Sequence, residues 1–256
     1  MFTLEKVGST CFLINGGNKT GKIISVTSDP NVVTGHENIR TEKYKLEQIP
    51  NFVWEDGKAV PQRENIYLPA TSGSGKTYWC ATYIRNFKKL FPDAKVFVFS
   101  RLDSDEVLDC LDINRITLDE DLSSIDIHSD DIEAGSLFLF DDCDTIQDTR
   151  IRDAVAGIMN DVLETGRHKN FYCLITSHTI VRQKRHENNI IFNEIHKMVI
   201  FPFSGNRAAV TSALERYFGF SKIATKQILA IKTRWICISK NYPPYYYWEH
   251  GAQMII

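Results

Sequence analysis

The residues whose types and spacing could do chemistry begin with the run Pro69 to Thr77, PATSGSGKT. Residues 70–77 follow the Walker A pattern, with Ala70 where the pattern has its first glycine. Glycines at 73 and 75 let the backbone curl so that several N–H groups converge on one phosphate. A helix starting at Lys76 adds its partly positive N-terminal end. Lys76 brings an ammonium to the β- and γ-phosphates of a nucleotide, and the Thr77 hydroxyl is a ligand for Mg²⁺. The expected cofactors are therefore ATP and Mg²⁺, with Ser72, Gly73, Ser74, Gly75, Lys76, Thr77 and Tyr78 against the nucleotide. Ala70 is compatible with this loop provided that its φ is negative.

The apolar run Leu137 to Phe140 ends in Asp141-Asp142, a Walker B arrangement. A carboxylate at the C-terminal end of a strand beside the P-loop strand can hold Mg²⁺, usually through water, and Asp141 takes that part. Asp142 stands where a second carboxylate polarises the attacking water as general base, with a shorter reach than the glutamate many ATPases use. A solvated or helix-capping acid is the plainer reading of Asp142. A third run, Phe171 to Ile175, ends in Thr176-Ser177-His178, where a polar side chain can sense the γ-phosphate; Ser177 and His178 join the catalytic candidates. Arginine suits charge stabilisation on a transferring phosphoryl group. Arg167, in GRHKN, is the first choice for such a finger supplied in trans, ahead of Arg152 and Arg150, against the alternative of a surface role. The basic run Arg182-Gln183-Lys184-Arg185-His186 is a candidate contact to DNA phosphates, against the alternative of a solvated loop.

The elements that must position these residues are legible from apolar patterning. Residues 1–62 read as a small β-rich region in which 11–15 and 22–27 form a hairpin around GGNKTG. Residues 63–256 read as an α/β domain with a mostly parallel sheet. Its strands are expected at 66–68, 95–100, 137–140, 171–175 and 198–201. Its helices are expected at 76–90 and 148–165, the first with an apolar stripe of Trp79, Ile84, Phe87 and Phe91 and the second stopped by Gly166 at C′. Residues 205–256 add two helices, 206–217 and 221–230, and a terminal hairpin with arms 234–239 and 245–255 around a Tyr-Pro-Pro turn. Residues 103–133 form an acidic connector.

Composition bounds the reading. With 256 residues, 43% of them hydrophobic and 24% charged, the chain can bury one large α/β core. A net charge of −2 excludes a general polycation, so nucleic-acid contact would need a local basic patch or an assembled ring. Six scattered cysteines without a C-x-x-C pair fit a reduced, intracellular compartment. No apolar run approaches the roughly 20 residues that span a bilayer, and residues 1–10 lack the features of a signal peptide.

The order PATSGSGKT, VFVFSRL, INRITLDEDL, FLFDDCD, ETGRHKN, LITSHT, FPFSGN over residues 64–256 resembles the genome-packaging ATPases of large nucleocytoplasmic DNA viruses, a branch of the FtsK/HerA superfamily. The resemblance implies a RecA-like P-loop NTPase core with an additional strand. It further implies a hexameric or pentameric ring that translocates double-stranded DNA into a preformed capsid. Partners would be the DNA, other copies of the chain, and capsid or membrane-vertex proteins. The place would be the viral factory in the host cytoplasm, with association to the virion. In that branch a polar residue, often Gln, follows Walker B at the strand tip; TSH stands there instead. Rival readings are a nucleotide phosphotransferase, a DNA-remodelling ATPase outside packaging, and a non-enzymatic DNA-binding scaffold. A GTPase lacks its N-K-x-D element after a late strand, and an ABC ATPase its L-S-G-G-Q-like signature.

Overall fold

The apolar runs do become strands in the computed structural model, which describes residues 1–32, 34–119, 131–180, 185–204 and 206–255, with the side chains of 185–189 excepted. The basic run 182–186 therefore lies outside the described side chains, as does the 120–130 part of the acidic connector. Contacts divide the chain into two units, Arg63–Ile195 and Met1–Gln62 with His196–Ile256. Residues 205–256, grouped with the ATPase portion on sequence grounds, thus share a unit with the N-terminal segment.

The Arg63–Ile195 unit holds strands β8 (Glu64–Pro69), β9 (Val96–Ser100), β10 (Asn114–Thr117), β11 (Leu137–Asp141) and β12 (Tyr172–Ser177), with helices α1 (Lys76–Leu90), α2 (Thr149–Thr165) and α3 (Arg185–Glu194). The strands run parallel in the order β10-β9-β11-β12-β8. Parallel strands need crossovers, and α1 and α2 supply them. Helix α1 carries no Gly or Pro and buries Trp79, Cys80, Tyr83, Ile84 and Phe87, a stripe at helical spacing. Lys88 and Lys89 oppose the negative end of its dipole, and Pro92 follows its end. Helix α2 starts where the Asp148 carboxylate accepts the N–H groups of Arg150 and Ile151. Phe97 on Phe138, 5.5 Å between centroids, and Phe99 on Phe140, 4.9 Å, tie β9 to β11 through paired rings.

Two local expectations change. Gly166 is not left-handed: with φ −55 it carries α2 into a 3-10 turn, Gly166–His168. Its missing side chain matters for space, since a Cβ there would come within 3.1 Å of the Phe171 ring. Asp141 does not lie on the strand beside the P-loop strand either, because β12 is inserted between β11 and β8.

The other unit holds β1 (Phe2–Thr3), β2 (Ser9–Asn15), β3 (Ile23–Val26), β4 (Asn38–Arg40), β5 (Lys45–Gln48), β6 (Phe52–Glu55) and β7 (Lys58–Pro61). From the C-terminal part come β13 (Lys197–Ile200), α4 (Arg207–Arg216), α5 (Lys222–Leu229), β14 (Ile236–Ser239), β15 (Tyr245–Trp248) and β16 (Gly251–Met254). The expected hairpin at 11–15 and 22–27 is the β2–β3 pair, within a small antiparallel sheet ordered β1-β3-β2-β5. Strands β13, β14, β15, β16 and β4 pair antiparallel in that order. The stretch 245–255, read as one hairpin arm, is two strands, because the chain reverses between Trp248 and Gly251. Phe2 packs edge-on against Tyr245 at 5.7 Å and Phe12 lies 5.0 Å from Tyr247. These rings join the first and last segments of the sequence in one core.

Candidate active site

The loop after β8 turns on two left-handed glycines, Gly73 at φ 76 and Gly75 at φ 106, a region that costs an L side chain energy. At Gly73 a Cβ would meet nothing within 4 Å, so backbone conformation alone asks for glycine there. Ala70 is absent from the residues with positive φ, as the loop required. Lys76 opens α1, whose first N–H groups have no acceptor within the helix and face the loop. Its side chain is buried, and Nζ donates to Ala70 O at 2.6 Å and lies 3.3 Å from Asp142 Oδ1. Ser74 Oγ is buried with no partner among the described residues. Tyr78 is 65% exposed, facing away from the core.

Asp141 ends β11 and Asp142 follows in the left-handed region, φ 47 and ψ 36, a conformation Asp tolerates better than most residues. Three contacts hold this turn. The Asp142 N–H donates to Thr176 Oγ1 at 2.7 Å, and its carbonyl accepts from Thr145 N at 3.1 Å and Thr145 Oγ1 at 2.9 Å. Thr176 Oγ1 lies 2.9 Å from Asp141 Oδ1 and 3.0 Å from Asp142 Oδ1, so one hydroxyl proton serves two carboxylates. Ser100, at the end of β9, reaches Asp141 Oδ2 at 3.3 Å. Burial raises the Asp141 pKa and the charge of Asp142 raises it further, against the hydroxyls of Thr176 and Ser100 and the charge of Lys76, which lower it. Cys80, one turn beyond Lys76, has its pKa raised by burial first and then by both carboxylates, so it stays a neutral thiol.

Strand β12, between the two motif strands, brings His178 Nε2 to 3.1 Å from Asp142 Oδ2. Ser177 is fully buried, and its hydroxyl lies 2.7 Å from Asp144 Oδ2 and 2.8 Å from Thr179 O. The same Asp144 oxygen accepts the His178 N–H at 3.0 Å. Asp144 and Ser100 are the site residues that motif reading missed. The signal for Asp144 was the third acid of FDDCD. For Ser100 it was a polar residue closing an otherwise apolar strand.

The structure thus gathers Lys76, Asp141, Asp142 and His178, and places Ser177 behind them as a support. Arg167 stays apart. It is exposed in the 3-10 turn that precedes β12, and its Nε donates to His168 Nε2 at 3.3 Å. The register Tyr172↔Glu64 and Ser177↔Pro69 puts that turn at the far end of the parallel strands from the P-loop, about 20 Å away at ~3.3 Å per strand residue. Arg150 and Arg152 sit in the first turn of α2, on the P-loop side of the sheet.

The donor set fits a nucleotide with a divalent cation. Two adjacent carboxylates, one with its proton affinity raised by burial and by its neighbour, are hard oxygen donors whose repulsion a cation would relieve. The left-handed loop at a helix N-terminus beside a buried ammonium is a cradle for a polyphosphate.

A parallel sheet with this strand order, a glycine loop leading from β8 into α1, and carboxylates at the end of β11 define a RecA-like P-loop NTPase fold. The chain is 44% identical over 209 residues to uncharacterized protein V3 of Sputnik virophage, a match covering 80% of this chain and 84% of V3, and it belongs to the same family. No family model matches the sequence. Among solved structures, similarity extends to the genome packaging NTPase B204 from Sulfolobus turreted icosahedral virus 2 in complex with sulfate. That match has 11% identity, covers 76% of this chain and 96% of B204, and has a TM-score of 0.47. The pCW3 conjugation coupling protein TcpA with ATPγS matches at 10% identity over 96% of this chain and 77% of TcpA, with a TM-score of 0.43.

Proposed function

We propose that this chain is a Mg²⁺-dependent ATPase that works as a motor moving double-stranded DNA into a viral capsid. The observation that carries the ATPase reading is the 3.3 Å approach of the buried Lys76 ammonium to Asp142, which joins the P-loop to the acidic strand end. Lys76 and the loop N–H groups bind and orient the triphosphate. Thr77 and Asp141 are the residues that would hold Mg²⁺, which when bound neutralises phosphate charge. Asp142 is the proton acceptor for the attacking water, and His178 beside it holds that carboxylate in place. Thr176, bonded to both acids, fixes their separation. Ser177 and Asp144 clamp the strand tip.

The motor reading rests on the order of motifs along the chain and on Arg167. Arg167 lies about 20 Å from its own P-loop, so any nucleotide it serves belongs to another copy, as a ring of subunits would provide. Assembly with capsid or membrane-vertex proteins at the viral factory belongs to the same reading. A second reading, a nucleotide phosphotransferase on the same loop, would show itself as phosphate transfer to a nucleoside monophosphate.

The test is the ATPase rate of the purified chain with and without double-stranded DNA, with mass measured by light scattering in the presence of nucleotide. Stimulation by DNA together with a five- or six-subunit mass is expected. Absence of any hydrolysis would end the ATPase reading, and hydrolysis by a monomer indifferent to DNA would end the motor reading alone.

A further inference from the structure

The unit built from Met1–Gln62 and His196–Ile256 carries a cleft of about 610 Å³ that the hydrolysis chemistry does not use. Its floor is one face of the antiparallel sheet. Tyr246 and Trp248 stand two residues apart on β15 and so share that face. Their rings lie nearly parallel, with centroids 6.0 Å apart and planes 24° from each other. Gln253 on β16 is the register partner of Tyr246 and accepts its hydroxyl proton at 2.8 Å. That bond leaves the amide hydrogens of Gln253 to donate elsewhere.

Gly251 explains how the indole lies. It pairs with Trp248 across the strands, and a Cβ there would come within 2.4 Å of the indole Cζ2 and 2.7 Å of Ile39 O. Any larger residue would lift the half-buried ring off the sheet. Arg40 on β4 is in turn the partner of Gly251, so its guanidinium emerges on the same face beside the indole.

What lines the cleft has donors to spare. Among the described residues the exposed Arg40 makes no hydrogen bond or ion pair, and neither the Gln227 amide on α5 nor the Trp248 indole N–H donates to another group. Glu42 is the one carboxylate among the lining residues. A flat aromatic floor, several uncommitted N–H groups and an unpaired cation call for a planar ring rich in acceptors and joined to an anion. We infer that this cleft binds a nucleotide unit, with its base stacked on Trp248 and its phosphate held by Arg40. A nucleobase offers acceptors on its edge and a π-face that stacks on aromatic side chains regardless of sequence. The unit could come from a free mononucleotide or from an unpaired nucleotide of a DNA strand; the chemistry is shared. The inference does not depend on the ATPase reading.

Anisotropy of a dye-labelled single-stranded oligodeoxynucleotide, titrated with the full-length chain, tests it. Trp248→Leu should weaken binding about tenfold to a hundredfold, the loss expected for one stacked base. Arg40→Gln should weaken binding and lower the slope of log Kd against log salt by about 0.7. Gln227→Ala, at an exposed helix position, should weaken it a few-fold. An oligomer of abasic sites should bind wild type weakly and be indifferent to Trp248→Leu. Displacement of the label by dAMP as readily as by oligomer would assign the site to free nucleotides, and displacement by oligomer alone would assign it to a strand. The same results in a Lys76→Ala chain would separate this cleft from the P-loop. Undiminished affinity in the Arg40 and Gln227 variants, which do not disturb the core, would overturn the inference. So would abasic binding as tight as base-bearing binding, or no binding at all.

Discussion

Asp142 holds three relations at once: a left-handed backbone, an ion pair with Lys76, and a contact with His178. The Lys76 ammonium lies against a carboxylate oxygen of Asp142 and the Ala70 carbonyl oxygen. Lys76→Ala removes the cation that opposes the repulsion between Asp141 and Asp142 as well as the phosphate ligand. Turnover should fall on the order of 10²- to 10³-fold, nucleotide binding should weaken, and the melting temperature should drop. Measuring turnover, nucleotide affinity and melting on one preparation checks all three. Asp142→Asn keeps the shape of the side chain and removes its basicity. Hydrolysis should fall by about 10²- to 10⁴-fold, with ATP retained on the protein and the fold intact, as filter binding and thermal melting would show. Turnover at the wild-type rate in this variant would assign proton acceptance to another group.

At the scale of elements, helix α2 depends on one side chain for its start. The Asp148 carboxylate accepts two N–H groups, and those backbone hydrogen bonds hold its pKa below the ordinary carboxylate value. A carboxylate whose pKa is lowered by folding adds stability above its unfolded pKa and loses it as pH falls through the folded one. Asp148→Ala should therefore lower the melting temperature at neutral pH. The gap from wild type should close as pH drops below the ordinary Asp range, and melting curves across that range read it. A gap independent of pH would mean that the cap acts through shape alone. Strand β12 shows a different dependence. By entering between β8 and β11 it brings Thr176 within reach of both acids and His178 against Asp142, so with Ser100 of β9 this end of the sheet draws on four strands.

For the whole molecule, the question is what Arg167 serves. Its turn lies at the end of β12 remote from the P-loop, so within one subunit it cannot reach its own nucleotide. In the ring reading Arg167→Ala should leave ATP binding unchanged while turnover of the assembly drops by ~10³- to 10⁵-fold, the usual worth of an arginine supplied in trans. Mixing this variant with Asp142→Asn should restore part of the activity, because some mixed interfaces carry both intact parts. Wild-type turnover of the single variant would move the search to Arg150 and Arg152 on the P-loop side. The net charge of −2 leaves DNA attraction to local patches in such an assembly.

The chain's own order of residues settled what is local. The P-loop followed from Gly73, Gly75, Lys76 and Thr77, since glycine freedom, helix start and cation position are all set within eight residues. The strands and helices that apolar period predicted lie within a few residues of their places, but β10, inside the stretch read as an acidic connector, and α3 were not among them. The insertion of β12, which puts Asp141 two strands from the P-loop, is a pairing between distant segments that no local pattern encodes. The same is true of the union of residues 1–62 with the C-terminal segment through Phe2, Phe12, Tyr245 and Tyr247. Ser100, Thr176 and Asp144 became part of the site only once four strand ends met. The sequence carries their chemistry, but only tertiary packing brings a hydroxyl from β12 to within 3.0 Å of carboxylates more than thirty residues away.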